Sequence, residues 1–160
     1  MNAREKFSLV VTTFNNAATL ERCLASAAFA DDIVVLDSGS TDATVDIARR
    51  RGARVYMEAF RDYSTQKQSA IDKAAHDWVL LLDADEALTE AARREIQSAL
   101  EHVCLNQPHV AGFRLPRREQ MFWTLQHRLS WTNTHLRLID RRRARMNTPP
   151  VHAAPESDGP

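Results

Sequence analysis

Glycine-rich phosphate loops are missing from this chain. No GxGxxG follows the first apolar run, which argues against a Rossmann dinucleotide site, and the absence of GxxxxGK[ST] excludes a P-loop. Metal-binding spacings are missing as well. The two cysteines, Cys23 and Cys104, form no CxxC, and the six histidines form no HxH or HExxH. Two cysteines make no disulfide framework, so a reducing, cytoplasmic setting is expected. No apolar run approaches the ~20 residues of a membrane-spanning helix. The N-terminus lacks the charged-then-apolar pattern of a signal peptide. Any membrane contact is therefore expected to be peripheral, at the inner face of the cytoplasmic membrane. Net charge is absent too, with 21 Lys and Arg against 21 Asp and Glu, which argues against nucleic-acid binding. The charge is unevenly spread, however. Up to Gly112 there are 12 basic and 17 acidic residues; from Phe113 onward there are 9 and 4. The basic end is either a solvated face or a surface for an anionic substrate. There is no internal repeat and no low-complexity tract.

What is present is one domain's worth of chain, 160 residues, 44% apolar and 26% charged. Its organising stretch is Trp78 to Glu86, WVLLLDADE. Five apolar residues without polar alternation suit a strand buried on both faces. The carboxylates Asp83, Asp85 and Glu86 follow at once. In a continuing strand Asp83 and Asp85 would share one face. A cation between or beside them would relieve their repulsion, and oxygen ligands suit Mg2+ or Mn2+. A polar turn that merely ends the strand is the plain alternative.

The rest of the chain alternates. Phe7 to Thr12, Ile33 to Leu36 and Arg54 to Met57 read as strands. Between and after them come helical patterns. Leu20, Cys23, Leu24 and Ala27 mark the first; Ala43, Val45, Ile47 and Ala48 mark the second. Ser64 to Ala75 follows, with Ala70, Ile71, Ala74 and Ala75 inward, and then Thr89 to His102. Strands alternating with helices indicate an α/β fold whose sheet is mostly parallel. After Pro108 the pattern changes: Ala111 to Leu115 and His135 to Ile139 look like strands around an Arg-, Trp- and His-rich stretch. Residues 149–160 read as a poorly ordered tail.

In a parallel sheet, the turns after strands one, two and four open on one edge. Helix N-termini there favour phosphate, and the carboxylates favour a metal. Together they describe a site for a nucleotide diphosphate and its cation.

The pieces FSLVVTTFNNAATLERCLAS, DDIVVLDSGSTDATVDIARRRGARV and QKQSAIDKAAHDWVLLLDADE, with the later LRLIDRR, resemble family 2 glycosyltransferases of the GT-A fold. The subgroup they most resemble is the lipopolysaccharide-core β-glucosyltransferase-like proteins, over roughly Ser8 to Arg143. The resemblance implies a Rossmann-like, mostly parallel sheet flanked by helices. Residues 1–112 would be the nucleotide-sugar half and residues 113–148 a short acceptor-side segment. It implies an inverting, metal-dependent transfer of sugar from a nucleotide-diphospho-sugar, a UDP-sugar first among them, to a cell-envelope glycolipid or glycan. Asp37 would contact the base or ribose, and Thr13 and Asn15 would run along the nucleotide. Asp83 would lie near the ribose and diphosphate, Asp85 would hold Mg2+ or Mn2+, and Gln66 and Lys67 would sit near the donor. Asp37 and Asp42 as turn and cap residues, and Lys67 as a solvated helix lysine, are the plain alternatives.

The general base is the weak point. Where the subgroup commonly carries an Asp before LRL, this chain has Asn133, and Ala153 follows His152 in place of the family's acid. Glu119 and Glu156 are the remaining candidates. The alternative is a donor-binding partner subunit with impaired catalysis. A nucleotidyltransferase would need a Gly- and Lys/Arg-rich loop after strand one, and TTFNN is not one. Trp123, Trp131 and Phe122 could stack on a sugar or belong to the core.

Overall fold

The computed structural model describes residues 4–106, 109–118, 120–121, 124–125, 133–147 and 154–157. The chain runs β1 (Phe7–Thr13), α1 (Leu20–Ser26), β2 (Asp32–Asp37), α2 (Thr44–Arg50), β3 (Arg54–Met57), α3 (Tyr63–Asp72), β4 (Trp78–Asp83) and α4 (Glu90–Asn106). Then come β5 (Gly112–Arg117), β6 (Gln120–Met121), β7 (Thr124–Leu125), β8 (Asn133–Asp140), β9 (Ala144–Met146) and β10 (Pro155–Ser157).

Six strands form the main sheet in the order β3-β2-β1-β4-β8-β5. The first four are parallel, and β8 and β5 are antiparallel additions at one side. The WVLLL run forms β4 in the middle of this sheet, buried on both faces. Trp78, Leu80 and Leu82 point to the face covered by α1, α2 and α4, where Leu20, Leu24, Ile47, Ile96 and Leu100 pack. Val79 and Leu81 point to the other face, under Ala70 and Ile71 of α3 and Met146 of β9. Burying an aliphatic side chain of this size stabilises by roughly 1.5–3 kcal/mol, so this strand anchors both cores. Asp62 caps α3 by accepting the Thr65 N–H at 2.8 Å.

Three expectations need adjustment. Helix α3 ends at Asp72, earlier than Ala75, and Ala75 is exposed. Its N–H is taken by Asp32 at 2.9 Å instead of by a helical carbonyl. Strand β4 stops at Asp83, so Asp83 and Asp85 do not share a strand face. Of the tail, Pro155–Ser157 pairs antiparallel with β9.

Register shifts between β5 and β8: Phe113 pairs with Leu138, but Arg114 pairs with Leu136. Arg137 is the extra residue of a β-bulge. The bulge moves Leu136 onto the same core as Ile139, three residues away, and re-aims the arginine. Gly112 is required beside it, because a Cβ there would meet the Leu138 carbonyl oxygen at 2.7 Å.

Candidate active site

Parallel register aligns the three turns. Thr13 pairs with Asp37 and Thr12 with Asp83, so the strands carrying them end at one edge. Two of the turns are laced together. Asn15, held at φ 51°, donates its backbone N–H to Ser40 Oγ at 2.8 Å, and its side-chain oxygen accepts the Thr41 N–H at 2.8 Å. Asn16 N–H donates to Thr44 Oγ1 at 2.8 Å, and Ala17 N–H to Asp42 at 3.1 Å. Thr13 Oγ1 donates to Asn16 Oδ1 at 2.9 Å. The positive φ of Asn15 suits asparagine, which tolerates the left-handed region.

Asp37 is fully buried at the centre of the second turn. One oxygen accepts the Gly39 and Ser40 N–H groups at 2.8 and 2.7 Å, and the other accepts Ser40 Oγ–H at 2.5 Å. Gly39 sits at φ +100°, a conformation that side chains disfavour. Asp37, expected to meet a base or ribose, thus also holds the loop that would face them. Gln66, 3% exposed, joins α3 to this loop by donating to Ser38 Oγ at 3.1 Å and to the Glu58 carbonyl at 3.2 Å.

The third turn is electrostatic. Lys67 Nζ lies 2.6 Å from Asp83 Oδ1. Arg137 on the bulge lies 2.8 Å from Glu86 Oε1 and 3.4 Å from Asp83 Oδ2. Arg117 approaches Glu86 at 3.5 Å. Glu86 also accepts the Asp83 N–H at 2.8 Å, closing the turn. Burial raises the Asp83 carboxyl, but Lys67 and Arg137 outweigh it and hold the group below the usual carboxylate range. Asp85 stands apart: it is exposed and has no hydrogen bond or ion pair among the described residues. Behind the turn, the Cys23 thiol donates to the Asp83 carbonyl at 3.5 Å. Burial, then the Glu86, Asp83 and Asp85 charges, push that thiol up to about 12.

The structure therefore brings Thr13, Asn15, Asp37, Gln66, Lys67, Asp83 and Asp85 to one edge. Glu156, exposed on β10, lines a neighbouring pocket of about 270 Å³ with Lys67, His135 and Arg137. Glu119, Phe122, Trp123, Trp131 and His152 lie outside the described residues, and so does the side chain of Asn133. Glu86 is the site residue to which sequence reasoning gave no role; Arg137, for which the sequence left open a phosphate-facing or an exposed strand position, is largely buried against Glu86 and Asp83. Glu86 was legible as the third acid after the strand.

Residues 8–156 match the model of the glycosyl transferase family 2 family. The chain belongs to that family. It is 38% identical over 104 residues to a Rickettsia bellii protein named as an uncharacterized glycosyltransferase, covering 64% of this chain and 34% of that protein. It is 31% identical over 116 residues to the lipopolysaccharide core biosynthesis glycosyltransferase LpsC of Rhizobium meliloti, covering 69% and 42%. The chain thus spans about a third to two fifths of the length of these curated relatives. Among solved structures, S. aureus TarS 1-349 in complex with UDP-GlcNAc matches at TM-score 0.50 and 25% identity, over 58% of this chain and 30% of that one. The expected GT-A arrangement, a mostly parallel sheet flanked by helices, is the one found.

The edge also suits the expected cation. Mg2+ commonly takes only one or two protein carboxylates and completes its shell with water and substrate phosphates. The unpaired Asp85 fits that demand. Among the described residues no group of three or more His, Cys, Asp or Glu converges.

Proposed function

We propose that this chain carries the donor site of an inverting glycosyltransferase. The donor is a nucleotide-diphospho-sugar, a uridine one first, and the acceptor a cell-envelope glycolipid or glycan such as a lipopolysaccharide core. The observation that carries the reading is the pairing at the β4 turn: Asp83 and Glu86 are already paired with Lys67 and Arg137, while Asp85 beside them has no partner among the described residues. A glycolipid acceptor would bring the protein to the inner face of the cytoplasmic membrane as a peripheral partner. Among the described residues no helix is long and apolar enough to cross a membrane.

In this reading Asp85 would hold Mg2+ or Mn2+, which would supply charge neutralisation on the leaving diphosphate. The laced turns around Asn15 and Asp37 form a preorganised ledge for the nucleoside. Lys67 and Arg137 offset the Asp83 and Glu86 charges that would otherwise repel the diphosphate expected there. An acceptor hydroxyl oxygen bonds to the anomeric carbon from the opposite side as the bond to the phosphate oxygen breaks. The bonding electron pair leaves with the nucleoside diphosphate. Glu156 takes the hydroxyl proton, being the described carboxylate on the adjoining pocket; Glu119 is the other candidate. The second reading, a donor-binding subunit with slow or no transfer, is favoured by Asn133 and Ala153 at positions where the subgroup carries acids.

A panel of nucleotide-sugars in calorimetry, with and without Mn2+, tests the donor reading. UDP-sugars should bind more tightly with Mn2+, and Asp85→Ala should abolish that gain while melting like the parent. Unchanged metal-dependent affinity in the variant would remove Asp85 from the site.

A further inference from the structure

We propose that the pocket beside Lys67 and Arg137 is an acceptor subsite for a sugar bearing an anionic group, phosphate or carboxylate, and that Arg114 selects that group. This rests on the glycosyltransferase reading above and names the chemistry of its acceptor.

The first observation is position. Lys67 and Arg137 line both this pocket and the carboxylate turn, so they form the wall between them. A sugar in the pocket lies one side chain away from where the donor diphosphate is expected. The second is size and floor. About 270 Å³ is at or just below the small end of ligand pockets, roughly 300–1,000 Å³. Leu81, Leu136 and Met146 supply an apolar floor for the C–H face of one ring.

The third observation is charge. The pocket gathers Lys67, Arg114 and Arg137 with His135 against a single carboxylate, Glu156. Lys67 and Arg137 are already compensated by Asp83 and Glu86. Arg114 is exposed and has no partner among the described residues. Strand alternation determines where it points, since its neighbours Phe113 and Leu115 both pack on the α1, α2 and α4 face. Arg114 pairs with Leu136, whose side chain packs on the α3 face, so the arginine is delivered to that face and to the pocket. His135 reports the same field: burial first, and then the positive Arg137 and Arg117, press its titration below the ordinary imidazole value. A positive pocket with one uncompensated guanidinium is built for planar, bidentate recognition of a carboxylate or phosphate. Glu156 opposite would repel a second anion and leave the sugar's hydroxyl as the group it faces.

The test titrates glucose 6-phosphate, glucuronate, glucose and inorganic phosphate into the protein saturated with UDP and Mn2+, read by ligand-observed NMR. Both anionic sugars should saturate at concentrations at least tenfold below glucose. Arg114→Ala should lose that preference, Arg114→Lys should keep part of it, and Arg94→Ala, an exposed arginine on α4, should match the parent. Arg114 is exposed and has no partner among the described residues, so its variants should fold. Equal binding of glucose and the anionic sugars, or an unaltered preference in Arg114→Ala, would overturn the proposal. Inorganic phosphate binding as tightly as the sugar phosphate would overturn it as well, by reducing the pocket to a simple anion site. UDP binding, measured on the same samples, reports separately on the donor reading. Failure there with an intact Arg114-dependent preference would remove the donor assignment and leave the pocket's selectivity standing.

Discussion

Replacing Arg137 by alanine should destabilise the protein in a pH-dependent way. Its side chain is 12% exposed and its guanidinium lies between Glu86 at 2.8 Å and Asp83 at 3.4 Å. Truncation removes one charge-assisted hydrogen bond, worth roughly 1.5–3 kcal/mol, and a weaker second contact. Breaking a fully buried pair costs about 3–5 kcal/mol. Here the carboxylates keep other partners: Lys67 remains on Asp83, and Arg117 with the Asp83 N–H remains on Glu86. The loss should therefore sit near the low end, about 2 kcal/mol. At roughly 2–4 °C per kcal/mol for a chain of this size, the midpoint should fall by about 4–8 °C at pH 7. The sign of the pH effect follows from Asp83. Its carboxyl is held below its ordinary value, so the folded state binds that proton less readily than the unfolded state does. Stability from this source is full above the unfolded carboxylate value, about 3.9, and disappears as pH falls through the lower folded value. Parent and variant should therefore converge as the pH is lowered from 5 towards 2. Calorimetric melts of both proteins across that range measure the effect. Equal midpoints at pH 7, or a gap that persists unchanged into acid, would show that ion pairing is not what Arg137 contributes.

Asp37→Ala removes the acceptor for two part-buried turn N–H groups and the Ser40 hydroxyl. At about 1–3 kcal/mol per stranded group, it should lower the midpoint by more than the Arg137 variant does and weaken uridine binding with it; a parent-like melt would mean the turn does not depend on this carboxylate. Glu156→Gln should slow sugar transfer by roughly 10²–10⁴-fold, the usual worth of a general base, with donor affinity retained in calorimetry. A retained transfer rate would move the search to Glu119. Cys23, with its thiol raised to about 12, should resist iodoacetamide at pH 8 in the folded protein and react once denatured, as read by peptide-resolved mass spectrometry; rapid native labelling would contradict its burial.

The edge proposed to bind the donor was legible because each of its parts is local. A strand buried on both faces has to be apolar without alternation, and WVLLL is. Turns built by Asp, Ser, Gly and Asn announce themselves through side chains that bond to nearby backbone, as Asp37 does to Gly39 and Ser40. The site-level misreadings share another cause. The expectation for Asp83 and Asp85 assumed the strand would run on, but the Glu86 carboxylate folds back onto the Asp83 N–H and ends it. The stop depends on a side chain three residues away, which strand periodicity does not register. Arg137 is harder still. It lies 54 residues from Asp83, and its direction depends on a single inserted residue in β8. By strict alternation Leu136 and Leu138 would share a face, and Arg137 would lie with Ile139. The bulge puts Leu136 with Ile139 instead and frees the arginine for the carboxylates. The close approach at Gly112 is the partner strand's share of the same feature. A Gly112→Ala variant would thus strain the β5–β8 pairing that carries both Arg137 and Arg114, the arginines of the proposed diphosphate wall and the proposed anionic subsite.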